Sequence, residues 1–357
     1  MLKAIDAAKT SVRLEMYIFT ASPLADRFRD ALVKAAQRGA RVRVMLDAVG
    51  SFMLPESYWE SLREAGGQFR WFNPIAWGRM LYRDHRKILV CDDESAFVGG
   101  LNIAPEYEGD GVTHGWRDLG IDIQGALALE LGEAFDSSFK RAAGPQRILQ
   151  RLRKTTARIT TSADSWQLLL GGPGRGRNFL KRTLADDLSA ARDVRIVSAY
   201  FLPPWRLRRE LEGVVRRGGR VQLVLAGKSD VGLSQRASHR LYTLLMKRGV
   251  EIHEYQPQIL HAKLFIFDEQ VYVGSANLDA RSLNINYELL VRVNEPGVVR
   301  EARGIFDEIL AQSRRIELAT WRKSRSMWTK LLENWSYFVL ARVDPYLARL
   351  SRGRRKS

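Results

Sequence analysis

Apolar and polar positions along this chain alternate between two periods. Val12 to Phe19 is a β-branched and aromatic run that reads as a strand, and Ser22-Pro23 opens an amphipathic stretch, Leu24 to Gln37, that Gly39 ends as a helix. Val42 to Asp47 reads as a buried strand, Glu56 to Ala65 as a helix closed by Gly66-Gly67, and Phe69 to Phe72 as a further strand. The apolar run Ile88 to Cys91 then turns through Asp92-Asp93-Glu94-Ser95 into Ala96-Phe97-Val98. Later in the chain the same alternation predicts helices near Asn178 to Ala191, Trp205 to Val215 and Gln235 to Lys247. It predicts strands at Val194 to Phe201, Val221 to Ala226, Val250 to Tyr255, Ala262 to Phe267 and Val271 to Gly274. Strands alternating with helices predict an α/β layered architecture.

The elements repeat as well as alternate. Ser11 to Phe19 parallels Asp193 to Phe201, Arg38 to Val42 parallels Arg217 to Val221, and Gln68 to Phe72 parallels Glu251 to Tyr255. Order and approximate spacing are kept, so the chain reads as two tandem copies of one domain. The expected division is a first domain over 1–140, a polar, basic linker over 141–164, a second domain over 165–318 and a carboxyl tail over 319–357.

Three differences separate the copies. The first carries a longer segment, Pro74 to Tyr82, read as a lid or lipid-contacting rim. The second opens with an apolar run, Trp166 to Leu170, and the loop Gly171 to Gly176, whereas the first starts at the following helix, so a strand is expected to be missing there by truncation or a late-assigned start. That glycine loop lacks the P-loop Lys-Ser/Thr and dinucleotide spacing, so it reads as a plain turn. Finally, the second copy has one residue fewer in the turn that follows its motif aspartate, which predicts a tighter hairpin.

A formal charge of +17 and a pI near 10.2 imply an anionic partner, a nucleic acid or an anionic membrane surface. The single cysteine, Cys91, lies in an apolar strand and reads as a small buried residue, and no window approaches the length of a spanning helix.

The chemistry concentrates in the duplicated pattern. His85-x-Lys87-x-x-x-x-Asp92 is followed by Gly99-Gly100-Leu101-Asn102, and His261-x-Lys263-x-x-x-x-Asp268 by Gly274-Ser275-Ala276-Asn277. On an extended strand, residues two apart share a side, so each His and Lys can face one pocket. A neutral imidazole can attack phosphorus while a second, protonated one delivers a proton to the departing alkoxide. Lys87, Lys263, Asn102, Asn277 and Ser275 would stabilise the phosphoryl oxygens, and neither metal nor cofactor is required. Asp92 and Asp268 complete the catalytic motifs, but at a strand end a carboxylate more often braces backbone. Asp118 and Glu288 are the candidates to orient the imidazoles. His114, His239 and His253 match no zinc spacing and read as structural.

These motifs resemble the phospholipase D superfamily, and Tyr82 to Lys87, Gly99 to Ile103 and Ser275 to Ser282 resemble bacterial cardiolipin synthases, closest to the cardiolipin synthase B type without amino-terminal membrane helices. The resemblance covers nearly the whole chain. It implies two α/β/α sandwiches meeting at one active site as a pseudo-dimer, and transfer of a phosphatidyl group through a phosphohistidine intermediate to phosphatidylglycerol, with release of glycerol or another head group. His85 is taken as nucleophile and His261 as acid and base, although the motifs are too alike to rank. Hydrolysis by a phospholipase D-type phosphodiesterase and cleavage of nucleic acid by a superfamily nuclease are the alternatives.

From Trp321 to Ser357 basic residues outnumber acidic ones ten to two, and Met327, Trp328, Leu331, Leu332, Trp335, Phe338 and Val339 form a helical apolar stripe. Tryptophans on such a stripe predict a helix lying in a membrane interface, with Arg352 to Lys356 attracted to anionic headgroups. The expected protein is therefore peripheral on the cytoplasmic face of the cell membrane, with anionic phospholipid rather than nucleic acid as partner. The competing expectation is that this helix packs on the protein's own core.

Overall fold

The computed structural model describes residues 1–74, 82–142, 159–163, 165–173 and 178–346. In the first half, six strands lie side by side in the order Gln68–Phe72, Arg41–Asp47, Ser11–Met16, Ile88–Cys91, Ser95–Gly99, Gly120–Gln124. The first three are parallel, and the remaining pairings are antiparallel. The second half repeats this core as Glu251–Tyr255, Arg220–Ala226, Asp193–Ser198, Lys263–Phe267, Gln270–Gly274, Glu288–Val293. It extends the sheet with Ser313–Arg315 at one edge and with Trp166–Gly171 and Ile159–Ala163 at the other. Among the described residues the first sheet ends at Gly120–Gln124, the counterpart of Glu288–Val293, with no strand matching Trp166–Gly171.

Helices cover the sheets where the apolar stripes predict them. Pro23–Gln37 is capped by Ser22, whose hydroxyl accepts from the Ala25 amide, and buries Phe28, Leu32 and Ala35. Asn178 caps Phe179–Ala190 in the same way. Two long helices went unanticipated in the sequence, Ala126–Ala142 and Pro296–Ala311. Each buries its apolar stripe against a sheet. Two predicted strands stop early, at Met16 and Ser198. In the first case the Ile18 amide donates to Asn102 Oδ1 and the Phe19 amide to Ser51 Oγ, so the chain leaves the ladder and turns toward the site.

The two sheets meet face to face. Ile88, Val90 and Val98 of the first half pack with Leu168, Leu289 and Val291 of the second, while Leu119 and Ile121 join the core around Leu260, Leu264 and Val271. Backbone also crosses the junction: the His85 amide donates to the Tyr287 carbonyl, and the His261 amide to the Arg117 carbonyl. The segment Pro74 to Tyr82 lies outside the described residues except at its ends, as do residues 174–176 of the glycine loop, most of the linker and the terminal Arg352 to Lys356.

The tail helix Met327–Phe338 packs against Gly232–Lys247 with its polar side. Glu333 and Ser336 are 4% and 1% exposed, whereas Met327 and Trp328 on the apolar stripe are 84% and 76% exposed. The helix therefore docks on the protein, but by its polar side and not by the apolar stripe, which faces outward. Val339 departs from the stripe and is half-buried. Trp321, read with the tail, is buried against His239 and Tyr242 in the core of the second half. Among the described residues no helix is long and apolar enough to cross a membrane.

Candidate active site

Extended backbone places the catalytic side chains. His85 and Lys87 lie just before the Ile88–Cys91 strand, and His261 just before Lys263–Phe267, rather than within strands as the spacing suggested. Alternation still sorts the side chains. Asp84 and Arg86 point into the first half, where Arg86 is ion-paired to Asp84 at 2.9 Å and to Glu15 at 2.6 Å. Fixing both neighbours in this way aims the intervening imidazole into the junction.

Both motifs open on a single cavity of about 400 Å³, lined by His85, His261, Asn102 and Asn277 among others. The asparagine orientations follow from their oxygens, which accept from the Ile18 amide at 3.0 Å and the Tyr200 amide at 3.4 Å. Their amide nitrogens are thereby left to donate toward the cavity; Asn102 Nδ2 lies 2.7 Å from the Tyr107 hydroxyl.

The orienting acids are exchanged between the halves. His85 Nδ1 lies 3.1 Å from Glu288 Oε2, and His261 Nδ1 lies 2.6 Å from Asp118 Oδ2. Each acid thus comes from the half that does not supply its histidine. Burial alone would raise both carboxyls, but His85, Lys87 and Ser275 hold Glu288 below its ordinary value, and Lys263 and His261 do the same for Asp118. A carboxylate bonded to Nδ1 leaves Nε2 of His85 for the substrate, whereas Nε2 of His261 lies 3.2 Å from Lys263 Nζ.

Ser275 corrects the expectation of a phosphate ligand. It is 1% exposed, donates to Glu288 Oε2 at 2.5 Å, accepts from the Leu289 amide at 3.0 Å and does not line the cavity. Its counterpart is Gly100, where an added Cβ would sit 2.2 Å from Asp118 Oδ1. The Gly/Ser variation in the motif therefore reports how each acid is supported, by contact with glycine or by a serine hydroxyl.

Asp92 and Asp268 also lie away from the cavity, so the structure does not group them with the reacting side chains. Asp92, at φ 56°, accepts from the Lys9, Thr10 and Ser11 amides, which lowers its carboxyl to about 2. Asp268 accepts from the Arg192 and Asp193 amides. Both tie the hairpin after the catalytic segment to the start of the central strand, and the second hairpin is one residue shorter without disturbing the Lys263–Phe267 strand.

The lysines are buried close to their histidines. Lys87 Nζ donates to the His85 carbonyl at 2.6 Å, and Lys263 Nζ lies 2.7 Å from His261 Nδ1 and bonds the His261 carbonyl. Burial and the neighbouring Lys263 push Lys87 down to about 7, and burial with Lys263 pushes His261 down to about 4. Burial likewise lowers His85. The two lysines and two histidines thus depress one another's proton affinity, and a phosphodiester bound beside them would raise all four.

Linkage gives this a sign. Unfolded Lys87 titrates near ~10.4, so between about 7 and ~10.4 the unfolded chain holds the extra proton and stability rises with pH; below about 7 the buried cation costs stability in full. His261 adds the same slope as pH falls from ~6.5 to about 4. We expect Lys87→Met to abolish turnover yet stabilise the unliganded fold near about pH 6 by on the order of a few kcal/mol, a gain that shrinks toward about pH 10. Thermal unfolding across that range checks this, and a lowered melting point near about pH 6 would contradict it.

Aromatic residues that the sequence did not single out complete the wall around His261. The rings of Tyr107, Trp116 and Tyr200 stand 5.5, 5.5 and 6.3 Å from it, and the Tyr200 hydroxyl donates to Asp230 at 2.7 Å. Tyr17 packs edge-on against His85 at 4.8 Å. Tyr17 and Tyr200 fall in runs read as strands, just past where those strands end at Met16 and Ser198, so nothing in the pattern marked them as site residues. Among the other histidines, His239 pairs with Glu254 at 3.3 Å and His253 approaches Glu251 at 4.0 Å, consistent with structural roles. Burial pushes the Cys91 thiol up to about 12, which leaves it inert at neutral pH.

Two sandwiches sharing one paired His/Lys/Asn centre define a two-domain phospholipase D-like protein. The family described as cardiolipin synthase, PLD-like domain, matches residues 1–108 and 184–310. Cardiolipin synthase 1 of Bacillus cereus is 30% identical, over 95% of this chain and 69% of that protein, and cardiolipin synthase 2 of the same organism is 31% identical over 91% and 65%. The phosphatidylserine synthase of Haemophilus influenzae shares the fold, with a TM-score of 0.76 at 14% identity, covering 97% of this chain and 91% of that one. The chain belongs to the cardiolipin synthase family of phospholipase D-like proteins.

Proposed function

We infer that this chain is a phosphatidyltransferase of the cardiolipin synthase type. The carrying observation is the exchange of orienting acids: two imidazoles, each held by a buried carboxylate of the other half, face one cavity with two asparagines, and each motif lysine is buried behind its own histidine, bonded to that histidine's carbonyl. In the proposed reaction His85 Nε2 attacks the phosphorus of a glycerophospholipid, and the P–O bond to the head group breaks as His261 supplies its proton. His261 then takes the proton from the hydroxyl of phosphatidylglycerol, whose oxygen displaces His85 and yields cardiolipin. Tyr200 and Asp230 beside His261 suit a departing glycerol, whose hydroxyls they can bond, and this favours His261 as the acid. The lysines and Asn102 and Asn277 would hold the phosphoryl oxygens.

Phosphatidylglycerol vesicles offered beside single- and double-stranded DNA test the reading. Cardiolipin and glycerol in equal amounts are expected; phosphatidic acid alone would favour hydrolysis, and DNA cleavage without lipid turnover would overturn it.

The outward stripe of the tail helix supports peripheral membrane attachment, since Trp328, Leu331 and Trp335 stay exposed beside a cavity whose rim includes Leu340 and Asp344 of the same tail. Trp328→Glu with Trp335→Glu is expected to weaken binding to anionic vesicles by at least about tenfold, since each buried tryptophan contributes roughly 1.5–3 kcal/mol, while leaving thermal unfolding unchanged. Vesicle sedimentation reads this, and unaltered binding would exclude the helix as the docking element.

A further inference from the structure

The cavity carries two cations beyond the His–Lys centre, Arg83 and Arg281, one from each half. Arg83 Nη1 is buried with no hydrogen-bond partner among the described residues, an arrangement that is costly unless a ligand completes it. Arg83 hydrogen-bonds the Tyr17 side chain and interacts with the buried Asp47, Arg281 acts on Tyr17 electrostatically, and both arginines line the same cavity as Tyr17, whose ring packs against His85. Arg281 Nε is anchored by Asp344 of the tail at 2.9 Å.

Internal symmetry makes the pair specific. Arg83 stands two residues before His85, and the matching position before His261 is Ile259. Arg281 stands four residues after Asn277, and the matching position after Asn102 is Glu106. The junction brings each pre-histidine segment beside the other half, as the Asp84–Tyr287 and Arg117–Leu260 bridges show. One side of an otherwise two-fold site therefore carries two arginines, while the equivalent positions on the other side carry an isoleucine and a glutamate. The two histidines already differ in role, as nucleophile and acid, and the arginines add an asymmetry of charge that proton transfer does not need, which calls for a second anionic group on the substrate.

We propose that Arg83 and Arg281 form a second phosphate subsite, which holds the phosphodiester of the acceptor lipid while its hydroxyl attacks the phosphatidyl group at the histidine centre. This rests on the phosphatidyltransferase reading above. A single glycerol separates the two phosphates of the product, so the acceptor's phosphate must lie in the same cavity as the reacting one. A guanidinium pair can grip such a diester through parallel N–H···O bonds. Water or a simple alcohol has no second phosphate and gains nothing from the pair.

The test compares acceptors in one reaction. Phosphatidylglycerol vesicles with 1-butanol present allow the enzyme to form cardiolipin and phosphatidylbutanol together. Arg83→Gln is expected to lower the ratio of cardiolipin to phosphatidylbutanol by at least about tenfold, the size of one lost charge-assisted hydrogen bond, with phosphatidylbutanol formation retained. Arg83→Lys should recover part of the ratio, and Arg281→Gln should lower it as Arg83→Gln does. An unchanged ratio, or equal loss of both products in a folded variant, overturns the subsite. Inorganic phosphate bound by the wild type but not by Arg83→Gln, with the ratio unchanged, would assign the pair to a soluble anion and overturn the lipid assignment. Wild-type protein that forms neither product would sink the transferase reading itself, and the subsite with it.

Discussion

Replacing His85 with alanine is expected to lower cardiolipin formation by on the order of 10⁴-fold or more, with His261→Ala costing a similar amount on natural lipids. The two histidines act as a unit, so the double variant should be little worse than either single one. Their failures should nevertheless differ in kind. Without His85 there is no atom to accept the phosphatidyl group. Without His261 the attack is intact, but a glycerol alkoxide must leave unprotonated. A donor whose head group is p-nitrophenol needs no proton to depart, and it should restore the first step in His261→Ala and not in His85→Ala. Initial release of nitrophenolate reads this. Rescue of His85→Ala instead would reverse the assignment of roles.

The second large effect is expected from isosteric changes that leave both histidines in place. Asp118→Asn and Glu288→Gln replace a carboxylate acceptor with an amide that can present its donor to Nδ1, favouring the wrong tautomer; losses of roughly 10²- to 10⁴-fold are expected. Because the acids are exchanged between halves, the first-half change should imitate His261→Ala and the second-half change His85→Ala. Asp118→Asn is thus expected to be rescued by the nitrophenyl donor, and Glu288→Gln is not. The opposite pattern would mean that each acid serves its own half. Glu288 is fully buried, so its variant's melting point belongs beside the rate.

The duplicated catalytic set was legible because it is local and occurs twice: His85, Lys87 and Asn102 lie in one stretch, as do His261, Lys263 and Asn277. The orienting acids were legible as residues but not as partners. Asp118 reaches a histidine 143 positions away and Glu288 one 203 positions away, which only the packing of the two sheets decides. Ser275 misled because a hydroxyl beside a glycine has the chemistry of a phosphate ligand, and its burial beneath Glu288 is a tertiary fact. The helix Ala126–Ala142 was readable in principle, since Leu127, Leu131, Phe135 and Phe139 recur every fourth residue and all are buried. Its tail counterpart shows the opposite lesson. Periodicity located the stripe from Met327 to Phe338 but not the side on which it would dock, because Glu333 and Ser336 face inward. The arginine pair is hidden for a related reason, as neither residue departs from the ordinary until the two halves are superposed on each other.

Covalent trapping tests the central claim, a single centre in which one half supplies the nucleophile and the other the acid, most directly. With the nitrophenyl donor, His261→Ala should form the phosphatidyl-enzyme but be slow to pass it on. Quenching in base, which preserves phosphohistidine, followed by peptide mass mapping should locate the adduct on His85 at close to one per chain, with none in His85→Ala. An adduct on His261 in the wild type, or turnover without any covalent phosphatidyl group in all three proteins, would contradict the account.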